Sequence, residues 1–142
     1  MAFKEFFKTP QKQRGEITEK IKNKLSRRKE IVFAYVYGSF LEDPSFRDID
    51  IGVYLDENLV KPKEFFRYQL NLGEALDIPA KYLVDIRILN EAPPSFLVTV
   101  FSRGKLLFSR NDQLLTDLIE RASVEEVASE GLPEQAFREL IS

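Results

Sequence analysis

The run from Ile31 to Tyr37 is the segment that most restricts how this chain can fold. All seven residues are apolar or aromatic, and most are β-branched or aromatic. A continuous run of this kind is typical of a strand that is covered on both faces, because a strand with one face in water alternates between apolar and polar residues. The sequence therefore predicts a central strand that ends at Gly38, within a sheet covered by helices.

The remaining periodicities alternate between helix and strand along the chain. Ile17, Ile21 and Leu25 recur every four residues, which predicts an amphipathic helix over residues 16–28. The further predicted elements are a strand over 49–55, a helix from Pro62 to Leu76 with its apolar side (Phe65, Phe66, Leu70) inward, a strand over 82–89, a short helix from Pro93 to Ser102, an edge strand over 105–108 and helix from Asp112.

The length of 142 residues is that of one domain. We expect an α+β fold in which a small mixed β-sheet is covered by helices. Its core should span about residues 16–110, and residues 111–142 should form a helical C-terminal extension. No repeat or low-complexity run interrupts this pattern.

The absence of cysteine and histidine limits the chemistry that the chain can support. It excludes disulfides, thiolate metal sites, a cysteine nucleophile and the commonest metal ligand and base. Any bound metal must therefore be held by oxygen ligands, which favours Mg²⁺ over Zn²⁺.

The net charge of -2 conceals two oppositely charged ends. Residues 1–30 carry ten Lys or Arg against four acids, and residues 111–142 carry eight acids against two Arg. The basic end could bind phosphates or RNA and the acidic end could dock a basic partner, but solvated helix faces are the more ordinary explanation of both. Nothing else suggests DNA binding. No stretch resembles a signal peptide or a membrane span, so we expect a cytoplasmic protein.

The candidate chemistry lies in two short motifs, Gly38-Ser39 and Asp48-Ile49-Asp50, with eight residues between Ser39 and Asp48. A glycine at the end of a buried strand lets a phosphate approach the backbone, and a serine adds a hydroxyl beside amides that attract anions. Two aspartates one residue apart on a strand share a face, where a divalent cation best relieves their repulsion. Alone, either motif could be an ordinary turn or a solvated strand edge. Their combination predicts a phosphate cradle beside a magnesium site.

These motifs resemble those of the DNA polymerase β-like nucleotidyltransferases, and in particular the minimal nucleotidyltransferase antitoxins that pair with HEPN-domain ribonucleases. The resemblance covers residues 31–110. It is carried by Gly38-Ser39, Asp48-Ile49-Asp50, Val84-Asp85, Ala92-Pro93-Pro94 and the turn at Arg103-Gly104-Lys105. Family members usually place about ten residues between the serine and the first aspartate, where this chain has eight. The segments before Ile31 and after Arg110 carry no family signature.

The resemblance implies a nucleotidyltransferase fold and a role for Asp85. On spacing alone, Asp85 is better explained as a strand carboxylate paired with Arg87, since the two share a face. In the family a third carboxylate on such a strand completes the metal site. The resemblance thus implies that Asp48, Asp50 and Asp85 are catalytic and hold two Mg²⁺ ions, while Gly38 and Ser39 bind the phosphates of ATP.

The function implied by this resemblance is the transfer of AMP from ATP to a tyrosine of a HEPN-type ribonuclease toxin, which the chain would silence as an antitoxin. Two alternatives stay open. The chain could be a binding module that neutralises its partner without catalysis, or it could modify a small molecule such as an aminoglycoside. We expect a macromolecular acceptor, because small-molecule transferases of this superfamily normally carry a second domain that shapes the acceptor pocket. The sequence leaves open whether the protein forms homo- or hetero-oligomers.

Overall fold

The computed structural model describes residues 11–38, 48–79 and 82–129. The predicted alternation of helices and strands is confirmed along this part of the chain. In chain order, the elements are α1 (Gln11–Ser26), β1 (Ile31–Tyr37), β2 (Asp48–Leu55), a 3-10 turn (Pro62–Glu64), α2 (Phe65–Ala75), β3 (Leu83–Ile88), α3 (Pro94–Arg103), β4 (Lys105–Ser109) and α4 (Asp112–Ser129).

The four strands form one mixed sheet in the order β3-β2-β1-β4. Strand β1 pairs antiparallel with both β2 and β4, whereas β2 and β3 are parallel. The predictions of an interior β1, an edge β4 and a mixed sheet are therefore confirmed. A parallel pair needs a crossover connection, which α2 supplies between β2 and β3.

Two hydrophobic clusters cover the two faces of the sheet, and β1 contributes to both. Ala34 and Val36 belong to the cluster that includes Ile21 of α1 and Leu72 of α2. Phe33 and Tyr35 belong to the cluster on the other face, beneath α3 and α4. This division explains why β1 is apolar at every position. Burial of a side chain such as Phe33 contributes roughly 1.5–3 kcal/mol relative to leaving it exposed.

The predicted inward face of α2 is partly wrong. Phe65 is buried as expected, but the Phe66 side chain is 72% exposed and that of Leu70 is 53% exposed. The core-facing positions are instead Phe65 and Leu72. Each residue of a helix rotates by about 100°, so Phe66 and Leu70 lie about 100° and about 140° round the helix from the buried Phe65.

Helix α1 ends at Ser26, two residues before the predicted end at Arg28. The guanidinium of Arg110 donates hydrogen bonds to the backbone carbonyl oxygens of Ser26 and Arg28, the latter at 3.2 Å, and its Nε donates to that of Ile31 at 2.9 Å. Carbonyl oxygens at a helix C-terminus lack partners within the helix, so a cation there stabilises the end. Arg110 thus fixes α1 to β1 from the end of β4.

Asn90 ties the segment after β3 to the end of β2. Its Oδ1 accepts a hydrogen bond from the Leu55 backbone N–H at 2.9 Å, and its Nδ2 donates to the Leu55 carbonyl oxygen at 2.8 Å. The side chain thereby mimics one more backbone pairing of the sheet. None of the described helices combines the length and hydropathy needed to cross a membrane.

Candidate active site

The strand register places Asp50 between two side chains on the same face of the sheet. Asp50 pairs with Tyr37 of β1 on one side and with Asp85 of β3 on the other. Paired residues of neighbouring strands share a face, and the strands lie about 4.8 Å apart. Asp48, two residues earlier on β2, is on this same face and pairs with Leu83. The predicted aspartates are therefore brought to one end of the sheet.

The Asp50 carboxyl group lies in a partly buried and negatively charged environment. Burial raises its pKa above the ordinary value, the charges of Asp85 and Asp48 raise it further, and Arg87 acts in the opposite direction. Asp48 and Asp85 are exposed. The fold therefore disfavours the negative charge of Asp50.

Gly38 directly follows β1 and has φ of +79°, in the left-handed region. A Cβ atom at this position would collide with Oδ2 of Asp50. Both the conformation and the close approach therefore require glycine. Ser39, the predicted partner of Gly38 in phosphate binding, lies outside the described residues, as does the loop between it and Asp48.

The three aspartates Asp48, Asp50 and Asp85 offer only oxygen donors to a metal ion. Across residues 11–38, 48–79 and 82–129, no group of three or more acidic, histidine or cysteine side chains is positioned to hold one metal ion. The oxygen-only donor set and the repulsion around Asp50 nevertheless fit a hard divalent cation. Metal binding by Asp48, Asp50 and Asp85 stays a prediction.

Two residues near the carboxylates were not assigned a site role by the sequence analysis. Tyr37 is partly buried, and burial together with the charges of Asp50 and Asp85 raises the pKa of its hydroxyl. The alternation along β3 predicts Arg87 as a possible salt-bridge partner of Asp85. No such bridge forms among the described residues; the Arg87 guanidinium carbon instead lies 5.3 Å from the ring centroid of Phe96. The register opposite Asp50 is the signal that would have identified Tyr37.

A cleft of about 570 Å³ opens beside these residues, between α2, β3 and the segment before α3. We call it the β3 cleft. Phe66, Asp85, Arg87 and Phe96 are among its lining residues. Asp85 is therefore accessible both from the end of the sheet that carries Asp50 and from this cleft.

The family model described as Polymerase beta, Nucleotidyltransferase matches residues 19–113, which is more than half of the chain. The chain belongs to this nucleotidyltransferase family. The matched range contains the whole four-stranded sheet and the predicted site residues that the structure describes, which are Gly38, Asp48, Asp50 and Asp85. No curated protein sequence matches the chain significantly.

Solved structures share the nucleotidyltransferase fold of this chain. A complex described as tri-AMPylated Shewanella oneidensis HEPN toxin with MNT antitoxin contains a chain that matches at a TM-score of 0.59 and 18% identity, over 88% of this chain and 99% of that chain. A toxin-antitoxin structure with AMP-PNP contains a chain that matches at a TM-score of 0.59 and 20% identity, over 88% of this chain and 98% of that chain. The MntA-HepT toxin-antitoxin structure contains a chain that matches at a TM-score of 0.58 and 16% identity, over 86% of this chain and 97% of that chain. The α+β nucleotidyltransferase fold expected from the sequence is confirmed.

Proposed function

We propose that this nucleotidyltransferase transfers AMP from ATP to a tyrosine of a HEPN-type ribonuclease and thereby silences it as an antitoxin. The observation that carries the proposal is the register of Asp50 with Asp85, next to the Gly38 turn. This arrangement places the Asp50 carboxylate against the backbone of Gly38. The solved relatives described as an AMPylated HEPN toxin with its antitoxin, and as a complex with AMP-PNP, support the choice of acceptor and nucleotide.

In the proposed reaction, the phenolic oxygen of the acceptor tyrosine attacks the α-phosphorus of ATP. A new oxygen–phosphorus bond forms, the bond from the α-phosphorus to the bridging oxygen of the β-phosphate breaks, and pyrophosphate leaves. Asp85 orients the phenol and accepts its proton, which then passes to water. The Gly38-Ser39 turn binds the outer phosphates.

Asp48, Asp50 and Asp85 would hold two Mg²⁺ ions in this site. Bound magnesium would neutralise charge on the triphosphate and lower the pKa of the acceptor hydroxyl, so the reaction needs no histidine. The chain's own contribution is to place the partly buried Asp50 carboxylate beside Asp85 and Asp48, where a bound cation would relieve the unfavourable negative charge. We further propose that the protein acts in the cytoplasm, where ATP is available.

The test is to incubate the purified ribonuclease partner with ATP, Mg²⁺ and this protein, and to measure the mass of the partner. We expect AMP-sized additions on tyrosine with the wild type and none with Asp48→Asn or Asp50→Asn. Glu74→Gln, a charge removal at an exposed position of α2, serves as the matched control and should retain activity.

Each alternative function predicts a different outcome. If the Asp48→Asn, Asp50→Asn double variant still neutralises the ribonuclease fully, the chain acts by binding and not by AMP transfer. If the partner gains no mass but an aminoglycoside does, the acceptor is a small molecule. Either result would replace the proposed function.

A further inference from the structure

The β3 cleft joins an open aromatic surface to a proposed catalytic carboxylate. Phe66 on its α2 wall is 72% exposed, so its ring is available for contact with another molecule. Phe96 lies on the opposite wall, with the Arg87 guanidinium 5.3 Å from its ring centroid. The cleft volume of about 570 Å³ lies in the range of sites that bind small ligands or side chains.

The strand order separates this cleft from the Gly38 turn. Gly38 follows β1, Asp85 lies on β3, and β2 with Asp50 runs between them. In phosphoryl-group transfer the attacking and leaving oxygens are roughly in line on opposite sides of the phosphorus. If pyrophosphate leaves on the β1 side, at Gly38, the attacking hydroxyl must enter from the β3 side. The β3 cleft opens on that side.

We propose that the β3 cleft is the acceptor subsite, which binds the tyrosine-bearing segment of the partner protein through Phe66 and Arg87 and delivers its hydroxyl to Asp85. The proposal rests on the AMP transfer proposed above and specifies where the acceptor binds. Phe66 offers an apolar surface to the tyrosine ring. Arg87 is a positioning residue that can bond to carbonyl or carboxylate oxygens of the segment, because its planar guanidinium presents several donors in a fixed geometry.

The cleft is shaped before any partner arrives. Asn90 anchors the segment after β3 through its two hydrogen bonds to Leu55, and Glu91 and Pro93 on the cleft wall follow within three residues. The pairing of Arg87 with Phe96 similarly limits the positions of the guanidinium. A preformed site loses less conformational entropy when the segment binds.

The experiment compares Phe66→Ser and Arg87→Gln with two controls that lie outside the cleft. Leu59→Ser removes an apolar side chain that is 50% exposed, and Arg67→Gln removes an exposed cation beside Phe66 in sequence. For each protein, the rate of AMP addition is measured against the concentration of the ribonuclease partner, and AMP-PNP affinity with Mg²⁺ is measured by titration calorimetry.

We expect both cleft variants to raise the KM for the partner at least about fivefold and to leave the Kd for AMP-PNP within about twofold. Both controls should match the wild type in both measurements. An unchanged KM for the partner would overturn the proposal. Weaker AMP-PNP binding in the cleft variants would also overturn it, because the cleft would then hold the nucleotide.

A second measurement separates failure of the acceptor subsite from failure of the proposed function. If the wild type adds no AMP to the partner, the function is wrong, and the cleft is tested with N-acetyl-tyrosinamide as a probe on the ¹⁵N-labelled protein carrying AMP-PNP and Mg²⁺. Amide shifts at residues 66–69 and 87–92 that disappear in Phe66→Ser would support the acceptor subsite. No shifts, or shifts elsewhere, would overturn it.

Discussion

The Asp50 carboxylate occupies the space that a side chain on Gly38 would need. This contact links the turn after β1 to the centre of the carboxylate cluster. The backbone at Gly38 also has a positive φ, so the position is restricted twice, by conformation and by its neighbour. A substitution that changes the turn should therefore also displace the Asp50 carboxylate.

Replacement of Gly38 by alanine should lower both stability and activity. The left-handed backbone costs an L-residue about 1–2 kcal/mol, and the new Cβ must displace Asp50. We expect the free energy of unfolding, measured by urea denaturation, to fall by at least about 1 kcal/mol. Gly15→Ala is the control: that glycine lies within α1 and has open space where a Cβ would project, so alanine should stabilise the helix by up to about 1 kcal/mol. Equal effects of the two substitutions would contradict the steric argument.

Asp50→Asn should stabilise the protein at neutral pH in the presence of chelator. Burial and the charges of Asp85 and Asp48 raise the folded-state pKa of Asp50. A raised carboxyl pKa means that the folded state holds the proton more tightly, so stability is lost as pH rises through that pKa. The asparagine variant should be more stable than the wild type at pH 7, and the difference should shrink as pH falls through the folded-state pKa. Thermal unfolding of both proteins at a series of pH values measures this difference in stability. A stability difference that does not change with pH would contradict the raised pKa of Asp50.

AMP-PNP binding should require a divalent cation. Without one, the carboxylates near Asp50 repel the triphosphate. Titration calorimetry should show affinity at least about tenfold weaker in chelator than with Mg²⁺, which corresponds to about 1.4 kcal/mol. Equal affinity in the two conditions would remove the metal from the proposed mechanism.

Loss of the Arg110 guanidinium should destabilise the fold without touching the carboxylate end of the sheet. Arg110→Met leaves the carbonyl oxygens of Ser26, Arg28 and Ile31 without this donor, which should cost about 0.5–1.5 kcal/mol in urea denaturation. Arg103→Met removes an exposed arginine that ends α3 and should change stability by less than about 0.5 kcal/mol. A loss of AMP-PNP affinity in the folded Arg110→Met variant would show that its effect is not confined to this end of the fold.

Local patterns predicted most of the architecture because each depends on neighbouring residues. Burial alone explains both the apolar run of β1 and the helical spacing of Ile17, Ile21 and Leu25. All three of these helix residues are buried. The face of α2 was mispredicted because apolar residues occur on two sides of that helix, and only the position of β3 decides which side is covered. The Arg110 contacts join residues about 80 positions apart, beyond the reach of any local pattern.

The site was predictable to a similar extent. Alternation along β2 predicted that Asp48 and Asp50 share a face. Resemblance to a family, and not spacing, assigned Asp85, because the parallel pairing of β2 with β3 is a tertiary fact. Tyr37 and Arg87 needed the register across three strands. Ser39 lies outside the described residues, so its predicted role is untested.

The parallel pairing of β2 with β3 also determines when the site becomes complete during folding. Gly38 directly follows β1 and Asp50 lies on β2, and these two antiparallel strands are neighbours in sequence. Asp85 reaches them only after α2 has crossed the sheet and β3 has docked, a contact between residues far apart in sequence and therefore slower to form. A chain in which β3 has not yet docked would thus have Asp48 and Asp50 in place without Asp85. The proposed AMP transfer would then require the complete four-stranded sheet. Incompletely folded molecules would not consume ATP.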